Sequence, residues 1–321
     1  MQNNQKEMPK VGFGLWKIPQ DICADAVYNA IKAGYRHLDS ACDYGNEIEV
    51  GIGIKKAINE GICTREELFI TSKLWNTYHK KEHVEIACRK SLKDLGLEYF
   101  DLYLIHFPIS LKFVPIEERY PPEWIYNPSS TEAKMEVEHV PLYQTWEGME
   151  FLVKDNLVRE IGICNYNCSL LHDLMSYATI KPKVLQIESH PYLTQENLIK
   201  TAKNYGIEVV AFSPLGALSY FELDMAQKED SLLEHKSILE LSQKYEKTPA
   251  QILLRWAIQR GTKIIPKSSN SNRMKENIDV DSFLLEEPDL RLISSLNKNK
   301  RFNDPGKFCE AAFGTFHSIY D

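Results

Sequence analysis

The segment GYRHLDSACDYGNE, residues 34–47, joins a short apolar run, HLD, directly to a polar run, DYGNE. Asp39 ends the predicted strand, and Asp43 and Tyr44 follow shortly after it. In a barrel of parallel strands, side chains at the carboxyl ends of the strands gather on one face, where catalytic groups are found. An acid and a phenol at this position therefore predict a site, provided that the rest of the chain builds such a barrel.

Similar apolar runs recur along the chain and alternate with longer amphipathic segments. The strand candidates are GFGLWK (12–17), HLDSA, LFITSKL, FDLYLIH, EIGIC, VLQIE, EVVAFS and KIIPKS, and the helical patterns lie at 24–34, 83–96, 140–156, 195–206 and 249–261. Repeated strand and helix units indicate parallel strands with right-handed crossovers. Eight of them close an α/β, (β/α)8 TIM barrel, which we predict as one domain over residues 1–321. A doubly wound sheet is less favoured, because GFGLWK lacks the third glycine of a dinucleotide-binding turn.

Three segments depart from this regular spacing. They are the Pro-, Tyr- and Glu-rich residues 109–139, the excursion at 213–235, and the tail after Leu296. Loops of this length in a compact domain are usually functional or disordered, and their aromatic content favours a functional role. We therefore predict long loops on the active face and an irregular C-terminal substrate loop at about 297–321.

The composition argues against several classes of protein. With a net charge of −7 there is no basic excess to attract nucleic acid or an anionic membrane. No apolar run approaches membrane-spanning length, and MQNNQKEMPK lacks the core of a signal peptide. Seven scattered cysteines without a C-x-x-C pair indicate a reducing compartment and no zinc site. We expect a cytoplasmic monomer or homodimer without a metal, nucleic-acid or membrane partner.

Four polar residues end or follow adjacent strand candidates: Asp39, Tyr44, Lys73 and His106. Taken alone, Lys73 could extend its charged end to solvent, and His106 could be a core histidine whose ring nitrogens are hydrogen-bonded within the protein. Jointly they suit carbonyl reduction, which places negative charge on an oxygen that then needs a proton. Tyr44 would be the acid, with a pKa that the Lys73 ammonium draws toward working pH. Asp39 would keep Lys73 charged, and neutral His106 would orient the carbonyl.

Several motifs in order resemble those of the aldo-keto reductases. They are GYRHLDSACDYGNE, TSKLWN, LYLIHFP, IGICNYN, VLQIESHPYL, AFSPLG and IPKSSNSNRMKEN, and the resemblance spans about residues 9–305. FPISLKFVPIEERYPPEW and RFNDP are most similar to the yeast-type xylose (aldose) reductases. The resemblance implies the catalytic tetrad Asp39, Tyr44, Lys73 and His106. It also implies NADPH or NADH lying extended across the barrel face.

The resemblance further implies a set of cofactor contacts. Asn165 and Gln186 would bond the nicotinamide carboxamide, Phe212 would stack on its ring, and Ser213, Leu215 and Lys267 would line the pyrophosphate. Lys267, Ser268, Asn270 and Arg273 would hold a 2′-phosphate, with Glu276 and Asn277 near adenine and Glu222 on the ribose hydroxyls. Cys164 replaces the family's Ser in the carboxamide clamp, and a thiol bonds more weakly. KSSNSNR is also compatible with an ordinary N-capped helix start.

Substrate contacts are implied in the same way. Trp16 and Trp75 would form aromatic walls, although either could be core, and Asp43, His106 and Asn303 would bond the substrate. Most of the hairpin that closes the bottom of the barrel in this family is expected to be absent, which should cost stability more than activity.

The leading hypothesis is an NAD(P)H-dependent reductase of open-chain aldoses such as xylose and of other aldehydes, preferring NADPH while still using NADH. A hexose 6-phosphate reductase or polyol-phosphate dehydrogenase is an alternative, with Lys112, Arg119, Arg301 or Lys307 as its phosphate contact. A non-catalytic nucleotide-sensing subunit is less favoured, because the tetrad is intact.

Overall fold

The computed structural model describes residues 6–320. Over this range the backbone forms an eight-stranded sheet whose strand order follows the chain and whose neighbouring strands are parallel. The strands are β1 Phe13–Gly14, β2 His37–Asp39, β3 Phe69–Leu74, β4 Phe100–Ile105, β5 Val158–Cys164, β6 Val184–Glu188, β7 Glu208–Phe212 and β8 Lys263–Ile264. Each of them lies within or overlaps a strand candidate of the sequence, so the predicted strand set is confirmed.

The sheet closes on itself between its first and last strands. Val11 forms a parallel bridge with Ile264, and the amide of Gly12 donates to the carbonyl oxygen of Ile264 at 2.7 Å. Because this contact joins the two ends of the strand order, the sheet becomes a barrel without free edges. The predicted (β/α)8 barrel is therefore confirmed.

Helices connect the strands across the outside of the barrel. In the described residues they are α1 Gln20–Lys32, α2 Glu47–Asn59, α3 Lys81–Leu95, α4 Leu142–Lys154, α5 Cys168–Tyr177, α6 Glu196–Asn204, α7 Lys236–Tyr245, α8 Pro249–Gln259, α9 Ser271–Ile278, α10 Glu287–Ser294, α11 Pro305–Phe308 and α12 Glu310–Phe313. The five predicted helices correspond to α1, α3, α4, α6 and α8. The short α11 and α12 lie in the tail that we expected to be irregular, so the tail is partly ordered. No helix between residues 6 and 320 is long and apolar enough to cross a membrane.

Short 3-10 helices shape the loops of the carboxyl face. Cys42–Tyr44 follows β2 and Asn76–Tyr78 follows β3, while Ala217–Ser219, Phe221–Leu223, Lys228–Asp230 and Leu232–Glu234 follow β7. The first of these ends at Gly45, whose φ of 68° is a left-handed conformation that glycine adopts without strain. This tight turn keeps Asp43 and Tyr44 close to the end of β2.

The two glycines of GFGLWK make room inside the barrel. A Cβ on Gly12 would lie 2.5 Å from Nδ1 of His37, and a Cβ on Gly14 would lie 2.7 Å from the carbonyl oxygen of Ile265. Both distances are shorter than van der Waals contact. These glycines therefore serve close packing between β1 and its neighbours, which agrees with the absence of a complete dinucleotide-binding motif.

Alternate side chains of the strands fill the barrel interior. One apolar cluster contains Met8, Phe69, Leu102, Leu104, Cys164, Val184, Val210 and Ile265. Met8 lies at the amino end of the barrel, where Lys263 Nζ donates to its carbonyl oxygen at 2.5 Å. Met8 thus packs against the apolar interior at this end of the barrel.

Candidate active site

A cavity of about 850 Å³ lies at the carboxyl end of the barrel. It is lined by residues that lie in or follow every strand except β3, and by Asn303 and Phe308 of the C-terminal segment. Its volume is within the range of small-molecule and cofactor sites. All parallel strands direct their carboxyl ends to this face, so polar residues that are far apart in sequence converge here.

Lys73 lies beneath the floor of this cavity with a fully buried side chain. Its Nζ donates to Asp39 Oδ1 at 2.5 Å, to the carbonyl oxygen of Ser40 at 2.8 Å and to Tyr44 Oη at 3.0 Å. These three acceptors match the three N–H groups of an ammonium. Because Tyr44 Oη accepts from Lys73, its own hydrogen is free for another oxygen. The structure thus brings together the acid, phenol and ammonium that the strand-end pattern identified.

Burial and charge together set the protonation states of this group. Burial raises the pKa of Tyr44, and the nearby Lys73 charge lowers it only in part, so the phenol stays protonated at neutral pH. Burial is the largest single effect on Lys73 and lowers its pKa, but the effects of Asp39, Tyr44 and Cys164 together outweigh it, and the resulting pKa is above its usual value. The predicted direction of the Lys73 effect on Tyr44 is confirmed. The net pKa of Tyr44 is nevertheless above its usual value, because desolvation is the larger effect.

His106 follows β4 and is held through its own backbone. Its amide donates to the carbonyl oxygen of Leu74 at 3.0 Å, and its carbonyl oxygen accepts from Asn165 Nδ2 at 2.8 Å. Burial, and then the Lys73 charge, lower the pKa of His106 well below its usual value. The ring lines the cavity with its edge toward Tyr44, at a centroid distance of 5.9 Å. A neutral imidazole therefore lies beside the phenol, where it can donate a hydrogen bond to a carbonyl oxygen.

The segment after β8 forms one end of the cavity. The residues of this segment that line the cavity are Lys267, Ser268, Asn270, Arg273, Glu276 and Asn277. Asn270 Oδ1 accepts from the amides of Asn272 and Arg273 at 3.0 and 3.1 Å and so caps α9. Lys267 and Arg273 are both exposed. The capped helix start and the predicted anion site are therefore compatible, since a helix amino terminus flanked by two cations attracts an anion.

Asn165 and Gln186, predicted to bind a carboxamide, line the middle of the cavity and are already held by protein groups. Besides its bond to His106, Asn165 accepts at Oδ1 from Tyr320 Oη at 2.9 Å. Gln186 Nε2 donates to Asp39 Oδ2 at 2.7 Å. A side-chain amide has two N–H groups and two lone pairs, so each keeps a free donor and acceptor. Both side chains are thus oriented and still able to bind a ligand.

The loop after β7 forms another wall, with Phe212, Ser213, Leu215 and Glu222 lining the cavity. Ser213 Oγ lies 2.8 Å from Tyr220 Oη. The Glu222 carboxylate, predicted for ribose hydroxyls, is 80% exposed and accepts from Lys17 Nζ at 2.8 Å. This ion pair links the loop after β7 to the segment after β1. Glu222 can therefore reach a ribose only by sharing or leaving its contact with Lys17.

Two residues that we predicted as ligand contacts, Cys164 and Trp75, do not line the cavity in this structure. Cys164 shares the inner face with its neighbour Gln186, but its short side chain ends in the apolar interior. Trp75 is fully buried, with its Nε1 donating to the carbonyl oxygen of Glu123 at 3.0 Å and its ring against Trp124 at 4.8 Å. Loop packing thus covers Trp75 and presents Trp124 in its place.

The remaining substrate candidates, Trp16, Asp43 and Asn303, all line the cavity. Burial, and then the Glu123 charge, raise the pKa of Asp43 to about 7. Sequence reasoning missed several aromatic side chains that also line the cavity, among them Phe107, Trp124 and Phe308. The sequence feature that pointed to them was the aromatic content of the long segment after β4 and of the C-terminal tail. It did not show which rings reach the cavity, since that depends on how the loops pack.

A sequence profile of the Aldo/keto reductase family matches residues 10–298. A probable NAD(P)H-dependent D-xylose reductase of Arthroderma otae is 54% identical over 308 residues, covering 95% of this chain and 93% of the relative. A protein of the same name from Emericella nidulans is 53% identical over 308 residues, covering 95% of each chain.

Two solved structures superpose on the chain with a TM-score of 0.85 at 36% identity. One is the aldose reductase of Schistosoma japonicum, covering 99% of this chain and 96% of that one. The other is an aldo-keto reductase of Bombyx mori in complex with NADP, covering 99% and 97%. The similarity therefore includes the long loops as well as the barrel.

Proposed function

The chain belongs to the aldo/keto reductase family, and on this basis we propose that it reduces the carbonyl group of open-chain aldoses, xylose among them, and of other aldehydes with NADPH or NADH. The main support is the Tyr44 hydroxyl, which accepts from Lys73 at 3.0 Å and lies beside His106 at the cavity. The names of the two D-xylose reductases and the NADP complex support the same substrate and cofactor.

Each member of the tetrad has a distinct role in this proposal. When bound, the dinucleotide would supply a hydride to the carbonyl carbon, and negative charge would develop on the carbonyl oxygen. Tyr44 donates its proton from Oη to that oxygen, and the Lys73 ammonium stabilises the phenolate that forms. Asp39 keeps Lys73 charged and oriented. The neutral His106 ring donates a hydrogen bond that orients the carbonyl.

Residues that would hold a nicotinamide dinucleotide line the cavity from the tetrad to the start of α9. Asn165 and Gln186 keep free amide groups near the tetrad, and Lys267 and Arg273 lie at the capped helix start. Charge-assisted hydrogen bonds to a 2′-phosphate favour NADPH. Glu222 favours NADH instead, because its carboxylate would accept hydrogen bonds from the ribose hydroxyls. We therefore propose a moderate preference for NADPH, with NADH still used.

Replacing Arg273 with Ala is expected to weaken NADPH binding by about 10–100-fold, since a charge-assisted hydrogen bond is worth roughly 1.5–3 kcal/mol. NADH affinity should stay within a few-fold of wild type, because NADH has no 2′-phosphate. Fluorescence quenching titrations measure both affinities. Lys275→Ala is the matched control, because Lys275 is an exposed cation of α9 that does not line the cavity. Equal losses for the two cofactors would contradict the 2′-phosphate contact.

The cations considered for a sugar phosphate are engaged elsewhere. Lys112 pairs with a glutamate at 3.0 Å, Arg119 donates to backbone carbonyls at 2.6 to 3.1 Å, Arg301 covers a tyrosine ring, and Lys307 lies 3.8 Å from an aspartate. Over residues 6–320, none of these four lines the cavity. Aromatic rings, Asp43 and Asn303 form the substrate end instead. This lining favours an uncharged sugar over a sugar phosphate.

Initial rates over a substrate panel test the proposed function. Xylose, glucose 6-phosphate, mannose 6-phosphate and butanal should each be supplied with NADPH and with NADH. We expect xylose and butanal to be reduced and the phosphates to be poor substrates. Faster turnover of a sugar phosphate would reverse the substrate assignment. Tight NADPH binding without any aldehyde-dependent oxidation would instead favour a nucleotide-sensing role.

The raised pKa of Asp43 predicts a pH-dependent preference for sugars. Below about pH 7 the carboxyl group is neutral, and above it the carboxylate accepts stronger, charge-assisted bonds from sugar hydroxyls. The ratio of kcat/KM for xylose to that for butanal should therefore rise as the pH increases through 7. Asp43→Asn should abolish this rise. Glu123→Gln should move it to lower pH, because it removes a neighbouring negative charge. A ratio independent of pH in the wild type would contradict a substrate contact by Asp43.

Further assignments follow from the same proposal. We propose that the chain acts as one barrel domain, with the residues from about 297 onwards as the substrate loop. All seven cysteines lie in the described part of the chain and none of them is paired there, which supports a reducing, cytoplasmic location. The monomer or homodimer that we expect can be distinguished by light scattering.

A further inference from the structure

Glu188, the last residue of β6, is a fully buried carboxylate that does not line the cavity. Its Oε1 accepts from His190 Nε2 at 2.9 Å and from the amide of Phe302 at 2.9 Å. Its Oε2 accepts from the amide of Asn303 at 2.8 Å. A buried carboxylate is costly unless its oxygens are bonded, and here both are. Glu188 therefore joins the end of β6 to the C-terminal segment.

The charge of this carboxylate is maintained by its neighbours. Burial raises the pKa of Glu188, but the hydrogen bond and charge of His190, followed by Arg301 and the Phe302 amide, bring it below its usual value. The group is thus ionised at neutral pH. An ionised carboxylate is an acceptor only, which suits contact with two backbone N–H groups.

The two residues that Glu188 holds connect to different walls of the cavity. The ring of Phe302 stacks on the ring of Tyr220, which lies in the loop after β7, at a centroid distance of 5.7 Å. The side chain of Asn303 lines the cavity. Its Oδ1 is buried and has no hydrogen-bond partner among residues 6–320. An orphaned buried acceptor at a ligand cavity calls for a donor from the ligand.

We propose that Glu188 is a positioning residue for the substrate. By binding the backbone amides of Phe302 and Asn303, it holds the Asn303 side chain at the cavity, where Oδ1 accepts a hydroxyl group of the open-chain aldose. This inference rests on the proposed function, because a substrate without hydroxyl groups would not use the contact. It assigns to a residue outside the cavity a role in selecting polyhydroxylated substrates.

Glu188→Gln tests this role, because glutamine has a similar shape but presents an N–H group where one carboxylate oxygen accepts. KM for xylose should rise about tenfold, the order expected for one lost hydrogen bond. The kcat/KM for butanal and the dissociation constant of NADPH should stay within about threefold, a change below 1 kcal/mol. Glu188→Asp is a second variant. It keeps the charge but withdraws the carboxylate from the backbone amides, so KM for xylose should again rise about tenfold. It also serves if the Gln variant does not fold.

Glu150→Gln is the matched control for a merely structural effect. Glu150 is also buried, and its Oε1 accepts from the amides of Thr179 and Ile180 at 2.7 and 2.9 Å, away from the cavity. This control should lower the melting temperature without raising KM for xylose. Asn303→Ala completes a double-mutant cycle with Glu188→Gln. The two effects on xylose KM should be clearly less than additive, because both remove the same contact.

The outcomes separate the inference from the proposed function. A wild-type enzyme that reduces butanal but not xylose would overturn the substrate assignment and this inference with it. If the wild type reduces xylose, an unchanged xylose to butanal ratio in both Glu188 variants would overturn the positioning role alone. Fully additive effects of Glu188→Gln and Asn303→Ala would overturn it as well.

Discussion

Replacing Tyr44 with Phe is expected to slow aldehyde reduction by at least ~10²–10⁴-fold, the range for a lost general acid. The structure supports this size of effect, because Tyr44 Oη accepts from Lys73 and keeps its own hydrogen for the substrate. NADPH affinity should change little, since Phe preserves the ring that lines the cavity. Single-turnover rates and NADPH titrations measure the two quantities separately.

The control for this substitution is Tyr103→Phe. Tyr103 is fully buried on β4, does not line the cavity, and its hydroxyl has no hydrogen-bond partner in the described part of the chain. Removing that hydroxyl should leave the rate near wild type. Activity of Tyr44→Phe within tenfold of wild type would remove Tyr44 as the proton donor.

Lys73→Met is expected to lower the rate to a similar degree. Burial already raises the pKa of Tyr44, and without the ammonium nothing offsets this increase or stabilises the phenolate. The substitution also leaves the buried Asp39 carboxylate without its cation, and breaking such a pair costs about 3–5 kcal/mol of stability. Rates and thermal unfolding should therefore be measured together.

Two further variants separate the chemical effect from the loss of stability. The double variant Asp39→Asn, Lys73→Met should recover much of the stability but none of the rate, because the uncompensated charge is gone and the ammonium is still missing. Lys263→Met removes a lysine at the opposite end of the barrel, where it pairs with Glu208 at 2.7 Å, and should affect stability only. A folded Lys73→Met enzyme with normal rates and an unshifted pH profile would exclude Lys73 from the mechanism.

Much of the tetrad could be placed before any coordinates, because the relevant signals are local. The apolar runs identified the strands, and polar residues at their carboxyl ends must meet on one face of a parallel barrel. Asp39, Lys73 and His106 follow from this rule alone. Tyr44 follows from the short, glycine-terminated turn after β2.

Other parts of the site depended on contacts that no local pattern records. Trp124 lines the cavity and covers Trp75 only because the long segment after β4 folds back over the barrel. Cys164 and Gln186 are register partners, yet only the longer side chain reaches the cavity. The net pKa of Tyr44 also depended on such contacts, because desolvation is set by everything packed around the phenol.

The sequence by itself determined the barrel, and it predicted the face that carries the candidate site and the residues of the proposed tetrad. These properties follow from periodicity and chain order, which are encoded over a few neighbouring residues. Only the tertiary structure decided which loop residues line the cavity, how buried each titratable group is, and that Glu188 binds the amides of Phe302 and Asn303. Those features arise between residues far apart in sequence, from 29 positions for Tyr44 and Lys73 to 115 for Glu188 and Asn303, and packing and desolvation at such contacts depend on the whole fold.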